Sequence, residues 1–192
     1  MTKEIVEASE LQEQMSIAKV FAESGMFPDV KGQAQAVVKI MAGKELNLSP
    51  FQSMKSLYFV SGKLGIMADV MASRVKTSDK YDYIVDILTN EECKITFFQT
   101  VDGKKEKLGV SEFSLKDAAK AGLVNRDNWK NYPRNQLFAR CISNGTRWFC
   151  PDVICGYNTV EELDGMYEIN NKETITITAD GEVKNEGVVE TD

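Results

Sequence analysis

The 192-residue chain is 43% hydrophobic, which is enough to bury one sizeable core. It contains no histidine, and this excludes histidine-activated nucleophiles, histidine-ligated zinc and an imidazole general base among these residues. The net charge of −6 is unevenly distributed, because residues 160–192 carry −8 and residues 1–14 carry −3, which leaves +5 on the body between them. We expect the acidic ends to aid solubility, and the alternative is that they compete with nucleic acid for the basic body.

Helical patterns occupy the first part of the chain. A capping box at Ser9 predicts a first helix over residues 10–24, and an amphipathic pattern predicts a second helix over 33–46. Ser49 followed by Pro50 is typical of the start of a short third helix.

Strand patterns follow. An apolar run broken by Ser61-Gly62 predicts a small hairpin over residues 57–66, and residues 67–75 return to helical spacing. Three alternating runs then fill residues 81–113, and the last two are separated by Asp102-Gly103, a strong hairpin signal. These runs predict an antiparallel meander.

Further helices are predicted to start at Ser114 and to stop at Gly122, to run from Pro133 through Ile142, and to begin at Thr159. Near the C-terminus, residues 172–183 could form one more hairpin or remain loose.

The predicted fold class is α+β, with a small antiparallel sheet made of a meander plus a hairpin, packed with several helices. We expect one domain over residues 1–163 and an acidic C-terminal tail over residues 164–192.

No apolar run approaches the roughly 18–20 residues that span a bilayer, and the first ten residues are acidic where a secretory signal would be basic. We therefore expect a cytoplasmic protein with no membrane contact. The four cysteines lack paired C-x-x-C spacing, so they favour buried free thiols over a zinc site or a set of disulfides.

Residues 114–152 combine positive charge with both tryptophans of the chain. Seven basic residues face only three aspartates in this stretch. Cations attract phosphates, and flat aromatic faces stack on unpaired bases. For each residue taken alone, a buried ring or a solvated charge is the simpler interpretation. Their clustering favours a surface for single-stranded nucleic acid.

The candidate DNA-binding residues fall into two ranks, with no catalytic residue and no metal ligand among them. The first rank consists of four cations for phosphates and two rings for stacking, namely Lys130, Arg134, Arg140, Arg147, Trp129 and Tyr132. The second rank consists of Arg74, Lys76 and Lys94. No cofactor is predicted, apart from Mg²⁺ as a counterion of the DNA.

Two other functions remain as alternatives. Asp86 lies near the end of one predicted strand while Glu92 and Lys94 open the next, and this pattern occurs in many Mg²⁺-dependent nucleases. The pattern is short and frequent by chance. The other alternative is an interaction protein that binds a protein partner and not DNA. ATP chemistry is not expected, because the glycines of residues 61–65 lack the spacing of a phosphate-binding loop.

Two stretches, residues 37–75 and 117–163, resemble phage-encoded single-strand annealing proteins of the RecT/Redβ type. The resemblance covers roughly residues 20–163. It consists of loosely spaced positions, which are Gly43, Gly62, Asp117, Gly122, Leu123, Trp129, Tyr132, Pro133, Arg140, Arg147, Pro151 and Asp152.

The resemblance implies an ATP-independent recombinase that coats single-stranded DNA and pairs it with a complementary strand, without making or breaking a covalent bond. It also implies a homo-oligomer in the form of a ring or a filament, with the annealed duplex as product. An exonuclease or a host single-strand binding protein would be a partner, and the setting would be the cytoplasm of a bacterial host of a phage.

Overall fold

The structure is a computed structural model that describes residues 3–163, 175–177 and 183–185. The helices are α1 (Lys3–Glu23), α2 (Gln33–Glu45), α3 (Pro50–Ser56), α4 (Ala68–Lys76), α5 (Leu115–Lys120), α6 (Asp127–Asn131), α7 (Pro133–Phe149) and α8 (Pro151–Ile154). The strands are β1 (Leu57–Val60), β2 (Lys63–Ile66), β3 (Tyr81–Leu88), β4 (Glu92–Val101), β5 (Lys104–Ser114), β6 (Asn158–Thr159), β7 (Ile175–Ile177) and β8 (Val183–Asn185). The predicted α+β class is confirmed.

The N-terminal helices agree with the sequence prediction except at their start. Helix α1 begins at Lys3, so Ser9 lies inside the helix and the predicted capping box there is wrong. Lysine, glutamate and alanine in residues 3–8 favour helix and extend it back past the serine. The start of α3 is confirmed, because the Ser49 side chain accepts a hydrogen bond from the Gln52 backbone N–H and the Gln52 side chain accepts one from Ser49.

An ion pair beneath α2 ties the helix to strand β1. Lys39 is fully buried, and its Nζ lies 2.9 Å from Oδ2 of Asp29 and 5.0 Å from the ring centroid of Tyr58. The same carboxylate oxygen accepts a hydrogen bond from the backbone N–H of Phe59. Burial lowers the pKa of Lys39, and the influence of Asp29, which raises it, does not fully offset this.

The first sheet has the strand order β1-β2-β6 and joins distant parts of the sequence. Strands β1 and β2 form the predicted hairpin, with Ser61 and Gly62 both at positive φ in the turn. Strand β6 pairs with β2 in parallel, so residues near position 159 complete a sheet that begins at residue 57. Glycine is favoured at position 65, because a Cβ there would lie 2.8 Å from Cδ1 of Leu163 and 3.3 Å from the Cα of Val160.

The second sheet is the predicted antiparallel meander, with the order β3-β4-β5. Asp102 and Gly103 both have positive φ in the turn between β4 and β5, as a two-residue hairpin of the favoured type requires. One register shift lies in each strand pair, between Val85 and Ile87 in β3 and at Phe97/Phe98 along β4.

Helix α7 packs across β4 and β5 and forms the core with them. It continues to Phe149, seven residues beyond the predicted end at Ile142. The additional turns bring Gly145 against the ring of Phe97, where an added Cβ would lie 2.1 Å from a ring atom. The hydroxyl of Ser111 donates to the carbonyl of Cys141 nearby. The small residues that permit this contact contribute little to the hydrophobic periodicity of the sequence. The periodic pattern therefore ends at Ile142, before the helix does.

The described residues from 159 onwards agree with two predictions. Thr159 and Glu162 form a capping box, with each backbone N–H bound by the other side chain, at the start of a helical segment over residues 160–163. Strands β7 and β8 pair antiparallel, in agreement with the hairpin alternative, and the residues that connect them lie outside the described residues. The rest of the predicted tail lies outside the described residues, and the division into residues 1–163 and 164–192 stays a prediction. No helix among the described residues has the length and apolar character needed to cross a membrane.

Asp82 on β3 is held by two lysines from different elements. Nζ of Lys76 and Nζ of Lys105 each lie 2.5 Å from one of its carboxylate oxygens, and the backbone N–H of Tyr83 donates to it as well. Burial raises the pKa of Asp82, but the hydrogen bonds from Lys105, Lys76 and Tyr83 outweigh that effect and lower the pKa from 3.8 to about 2.

We expect Asp82 to contribute to the acid stability of the fold. Its pKa is lower in the folded chain than in the unfolded chain, so its contribution is present above about pH 4 and is lost as the pH falls towards 2. Asp82→Asn should lower the free energy of unfolding at pH 7 by about 1 kcal/mol and reduce its dependence on pH below 4. Urea unfolding at several pH values measures both. The control is Glu112→Gln, whose exposed pair with Lys94 spans 3.6 Å and should matter little. An identical response in the two variants would contradict the prediction.

Candidate nucleic-acid interface

The basic segment folds into three helices that all lie near strand β5. Helix α5 packs on β5, α6 packs on α7, and α7 crosses β4 and β5. A capping box between Ser114 and Asp117 starts α5, and Pro133 occupies the first turn of α7. The segment is therefore held on the second sheet by its own helix signals, and its side chains divide into buried and exposed groups.

Trp129 belongs to the core. It is only 3% exposed, and its ring centroid lies 6.3 Å from that of Phe113 on β5. A base cannot stack on a ring that is covered in this way, so the stacking role predicted for Trp129 is corrected to an anchor of α6. Trp148 is the exposed indole, at 58%, but it lies near the opposite end of α7 from Tyr132.

Tyr132 remains the accessible aromatic ring at the junction of α6 and α7. It is 63% exposed, and it separates two exposed cations, Lys130 in the last turn of α6 and Arg134 in the first turn of α7. Neither cation forms an ion pair with the part of the chain that the structure describes. We call Lys130, Tyr132 and Arg134 the junction cluster.

Arg147 is committed to an internal ion pair. Its Nη2 lies 2.7 Å from Oε2 of Glu162 and its Nη1 lies 3.2 Å from Oε1, so the contact is bidentate. Ser143 and Asn158 also accept hydrogen bonds from Nη2, each at 3.3 Å. Burial raises the pKa of Glu162, but the hydrogen bonds from Arg147 and from the Thr159 N–H outweigh it and hold the pKa below its usual value. The predicted phosphate contact of Arg147 is corrected to a structural role.

Arg140 lies two helical turns before Arg147 on the same side of α7, and it is also covered. Its Nη2 donates to the backbone carbonyl of Glu161, and its Nε is buried without a hydrogen-bond partner in the described part of the chain. Burial lowers the pKa of Arg140. The chain around residue 161 thus covers the arginine side of α7, and Arg140 does not join the junction cluster.

The second-rank cations lie elsewhere. Lys76 is bound by Asp82, and Lys94 faces Glu112 across the sheet. Arg74 of α4 is half-buried, and its Nε lacks a hydrogen-bond partner among the described residues. None of the contacts described for Arg74, Lys76 or Lys94 joins them to the junction cluster.

Two exposed lysines on α5 were missed as site residues. Lys116 and Lys120 are both exposed, and the only contact described for Lys120 is a 3.8 Å pair with Asp117 in which its own side chain is 81% exposed. Both were counted in the basic segment of the sequence. Helix spacing alone could not show which of its seven cations stay in solvent.

The residues of the nuclease hypothesis also have defined positions. Asp86 accepts a 2.6 Å hydrogen bond from the hydroxyl of Thr96, and Lys94 faces Glu112. Glu92 lines a small cavity of about 200 Å³ near these side chains. Within residues 3–163 and the two described tail strands, no group of three or more Cys, Asp or Glu side chains could hold a metal ion.

Comparison with known proteins found no match to this chain. No family model matches the chain, and neither the curated proteins nor the solved structures provide a match. The resemblance to the RecT/Redβ type stays a prediction.

Proposed function

We propose that this protein binds single-stranded DNA and promotes annealing of complementary strands without ATP. The observation that carries the proposal is the junction cluster, in which an exposed tyrosine ring lies between two exposed cations that have no described ion-pair partner. Lys116 and Lys120 add two more solvent-exposed charges on the neighbouring helix α5. The RecT/Redβ resemblance of residues 37–75 and 117–163 supports the same function.

The chemistry requires no bond to be made or broken by the protein. Lysine and arginine hold phosphates, and this lowers the repulsion between two strands, while Watson–Crick pairing selects the partner. One base stacked on Tyr132 would contribute about 1–3 kcal/mol, and the phosphate contacts would add a term that depends on salt.

The proposal includes a cytoplasmic setting in a bacterial host, Mg²⁺ as a counterion of the DNA, and the annealed duplex as product. It also includes self-association into a ring or a filament. Large apolar side chains on the N-terminal part support self-association, because Val20, Met26 and Phe51 are each at least half exposed. An exonuclease or a host single-strand binding protein is the proposed protein partner.

We expect binding to a labelled oligonucleotide to weaken with salt. If Lys116, Lys120, Lys130 and Arg134 neutralise four phosphates, the log–log slope should be about −3. Lys130→Ala or Arg134→Ala should make that slope less steep by about 0.7. Fluorescence anisotropy at several salt concentrations measures the slope. The matched control is Lys63→Ala, which removes an exposed lysine from the start of β2 and should leave the slope unchanged. A flat salt response of the parent protein would overturn the electrostatic basis of the proposal.

Annealing itself is tested with two complementary oligonucleotides in the absence of nucleotide triphosphate. The parent protein should accelerate duplex formation, and Arg134→Ala should slow it. The exposed apolar residues Val20, Met26 and Phe51 also favour a second candidate, a protein-binding scaffold without DNA affinity. Such a scaffold would give no oligonucleotide shift in any variant, and this outcome separates the two functions.

A further inference from the structure

A mostly apolar cavity of about 390 Å³ opens beside the junction cluster. Met67 precedes α4, Leu88 ends β3, and Phe138 lies on α7, and these three side chains form its apolar walls. Arg134 lines the same cavity, so the cavity and the proposed DNA interface share a residue. Its volume lies near the lower end of the roughly 300–1,000 Å³ typical of small-molecule sites. A single flat ring system fits such a space better than a larger ligand does.

The polar lining of the cavity includes two carboxylates, Asp69 and Glu161. Oε2 of Glu161 is buried and has no hydrogen-bond partner among the described residues, although buried polar atoms are nearly always paired. Burial raises the pKa of Glu161, as do the charges of Asp69 and Glu162, while a hydrogen bond from its own backbone N–H and the charge of Arg140 lower it. Because the last torsion of a glutamate side chain is soft, rotation about it can present this oxygen to the cavity that Glu161 lines. A ligand that carries hydrogen-bond donors would satisfy this oxygen.

We propose that this cavity holds one unpaired guanine base of the bound strand, with Arg134 on an adjacent phosphate. This rests on the proposed function. The base would lie against Phe138 and Leu88, as flipped or single-stranded bases lie against apolar and aromatic side chains. Guanine presents two adjacent donors on its Watson–Crick edge, N1–H and the 2-amino group, and these match the two oxygens of a carboxylate.

The other bases match the carboxylate less well. Thymine offers one ring N–H between two carbonyl acceptors, which repel a carboxylate. Adenine and cytosine place a ring acceptor next to their amino group, so only one of the two carboxylate oxygens finds a donor. The cavity should therefore give the protein a base preference at one position per subunit, in addition to phosphate contacts that do not depend on the base sequence.

The first experiment titrates the full-length protein with free mononucleotides by calorimetry or NMR. We expect saturable binding of dGMP, with dIMP, which lacks the 2-amino group, weaker by about tenfold or more. Glu161→Gln keeps the shape of the side chain but replaces one acceptor by a donor, so it should remove the discrimination between dGMP and dIMP. Equal affinities for dGMP, dAMP, dCMP and TMP, or no dGMP binding, would overturn the inference.

The second experiment compares oligothymidylate with the same oligomer carrying single dG, dA or dC substitutions. The parent protein should favour the dG-containing strand by about tenfold, and Glu161→Gln should lose the preference for dG. Lys130→Ala is the control, because it should weaken every strand alike and keep the preference. Tight strand binding without a dG preference overturns the guanine site and leaves the proposed function intact. If no strand binds, the proposed function fails, and the mononucleotide titration alone decides whether the cavity takes guanine.

Discussion

Asp29→Ala is expected to lower the free energy of unfolding by about 3–5 kcal/mol, because it leaves the fully buried ammonium of Lys39 without its counter-charge. The variant also removes the acceptor of the Phe59 backbone N–H, so strand β1 loses its bond to the loop after α1. The rings of Phe27 and Tyr58 still face Lys39, at 5.8 and 5.0 Å, but two cation–π contacts do not replace an ion pair. Urea unfolding followed by circular dichroism measures the loss.

Two controls isolate the cause. Glu23→Ala removes the acid of an exposed i,i+4 pair with Lys19 and should cost less than about 0.5 kcal/mol. Adding Lys39→Met to Asp29→Ala should recover much of the loss, since a buried ion pair is often replaced by apolar residues at little cost. The stability lost in Asp29→Ala should also become smaller at high pH. The pKa of Lys39 is lower in the folded chain than in the unfolded chain, so the folded chain releases the proton first as the pH rises and becomes more stable relative to the unfolded chain. A loss as small as that of Glu23→Ala would show that Lys39 is solvated in solution.

Glu162→Ala is expected to destabilise the protein by about 2–3 kcal/mol. The substitution removes the bidentate partner of Arg147, and it breaks the capping box with Thr159. The estimate lies below that for Asp29 because the Arg147 side chain is 39% exposed, so water can solvate part of its charge. Glu162→Gln keeps the shape and the capping oxygen, and it should lose less.

The same variant tests the corrected role of Arg147. Arg147 lies thirteen residues after Arg134 on α7, which corresponds to about 20 Å along the helix. We therefore expect Glu162→Ala to leave the salt slope of oligonucleotide binding unchanged, once it is compared at a temperature where both proteins are folded. A steeper slope in Glu162→Ala would mean that the released Arg147 reaches a phosphate, and it would restore Arg147 to the interface.

Features set by neighbouring residues could be predicted from the sequence. The β4–β5 turn follows from Asp102-Gly103, whose backbone tolerates positive φ, and the short helix α3 follows from a serine, a proline and a glutamine within four positions. The Thr159–Glu162 box is equally local. By contrast, the burial of Lys39 depends on Asp29 ten residues earlier and on the ring of Tyr58 nineteen residues later, and no local pattern marks it.

The same distinction between local and distant determinants applies to the candidate site. Lys130, Tyr132 and Arg134 remain together because a proline between them turns the chain from α6 into α7, and that signal is visible in the sequence. Trp129 was misplaced because its burial depends on Phe113 of β5. Arg140 and Arg147 were misplaced because the segment that covers them lies about 15–20 residues further along the chain. Glu161 was not predicted at all, since its cavity is assembled from four separate elements.

The parallel pairing of β6 with β2 constrains the order in which the chain assembles during its synthesis. Residues 57–66 can turn back on themselves as soon as they are made, but their third strand arrives only with residues 158–159. About ninety further residues must therefore leave the ribosome before that sheet is complete, and such distant pairings are slow to form. Until then β2 presents an unpaired edge with which a strand of another copy could pair. Because such pairing between copies increases with protein concentration, dilution is the first condition to control during refolding.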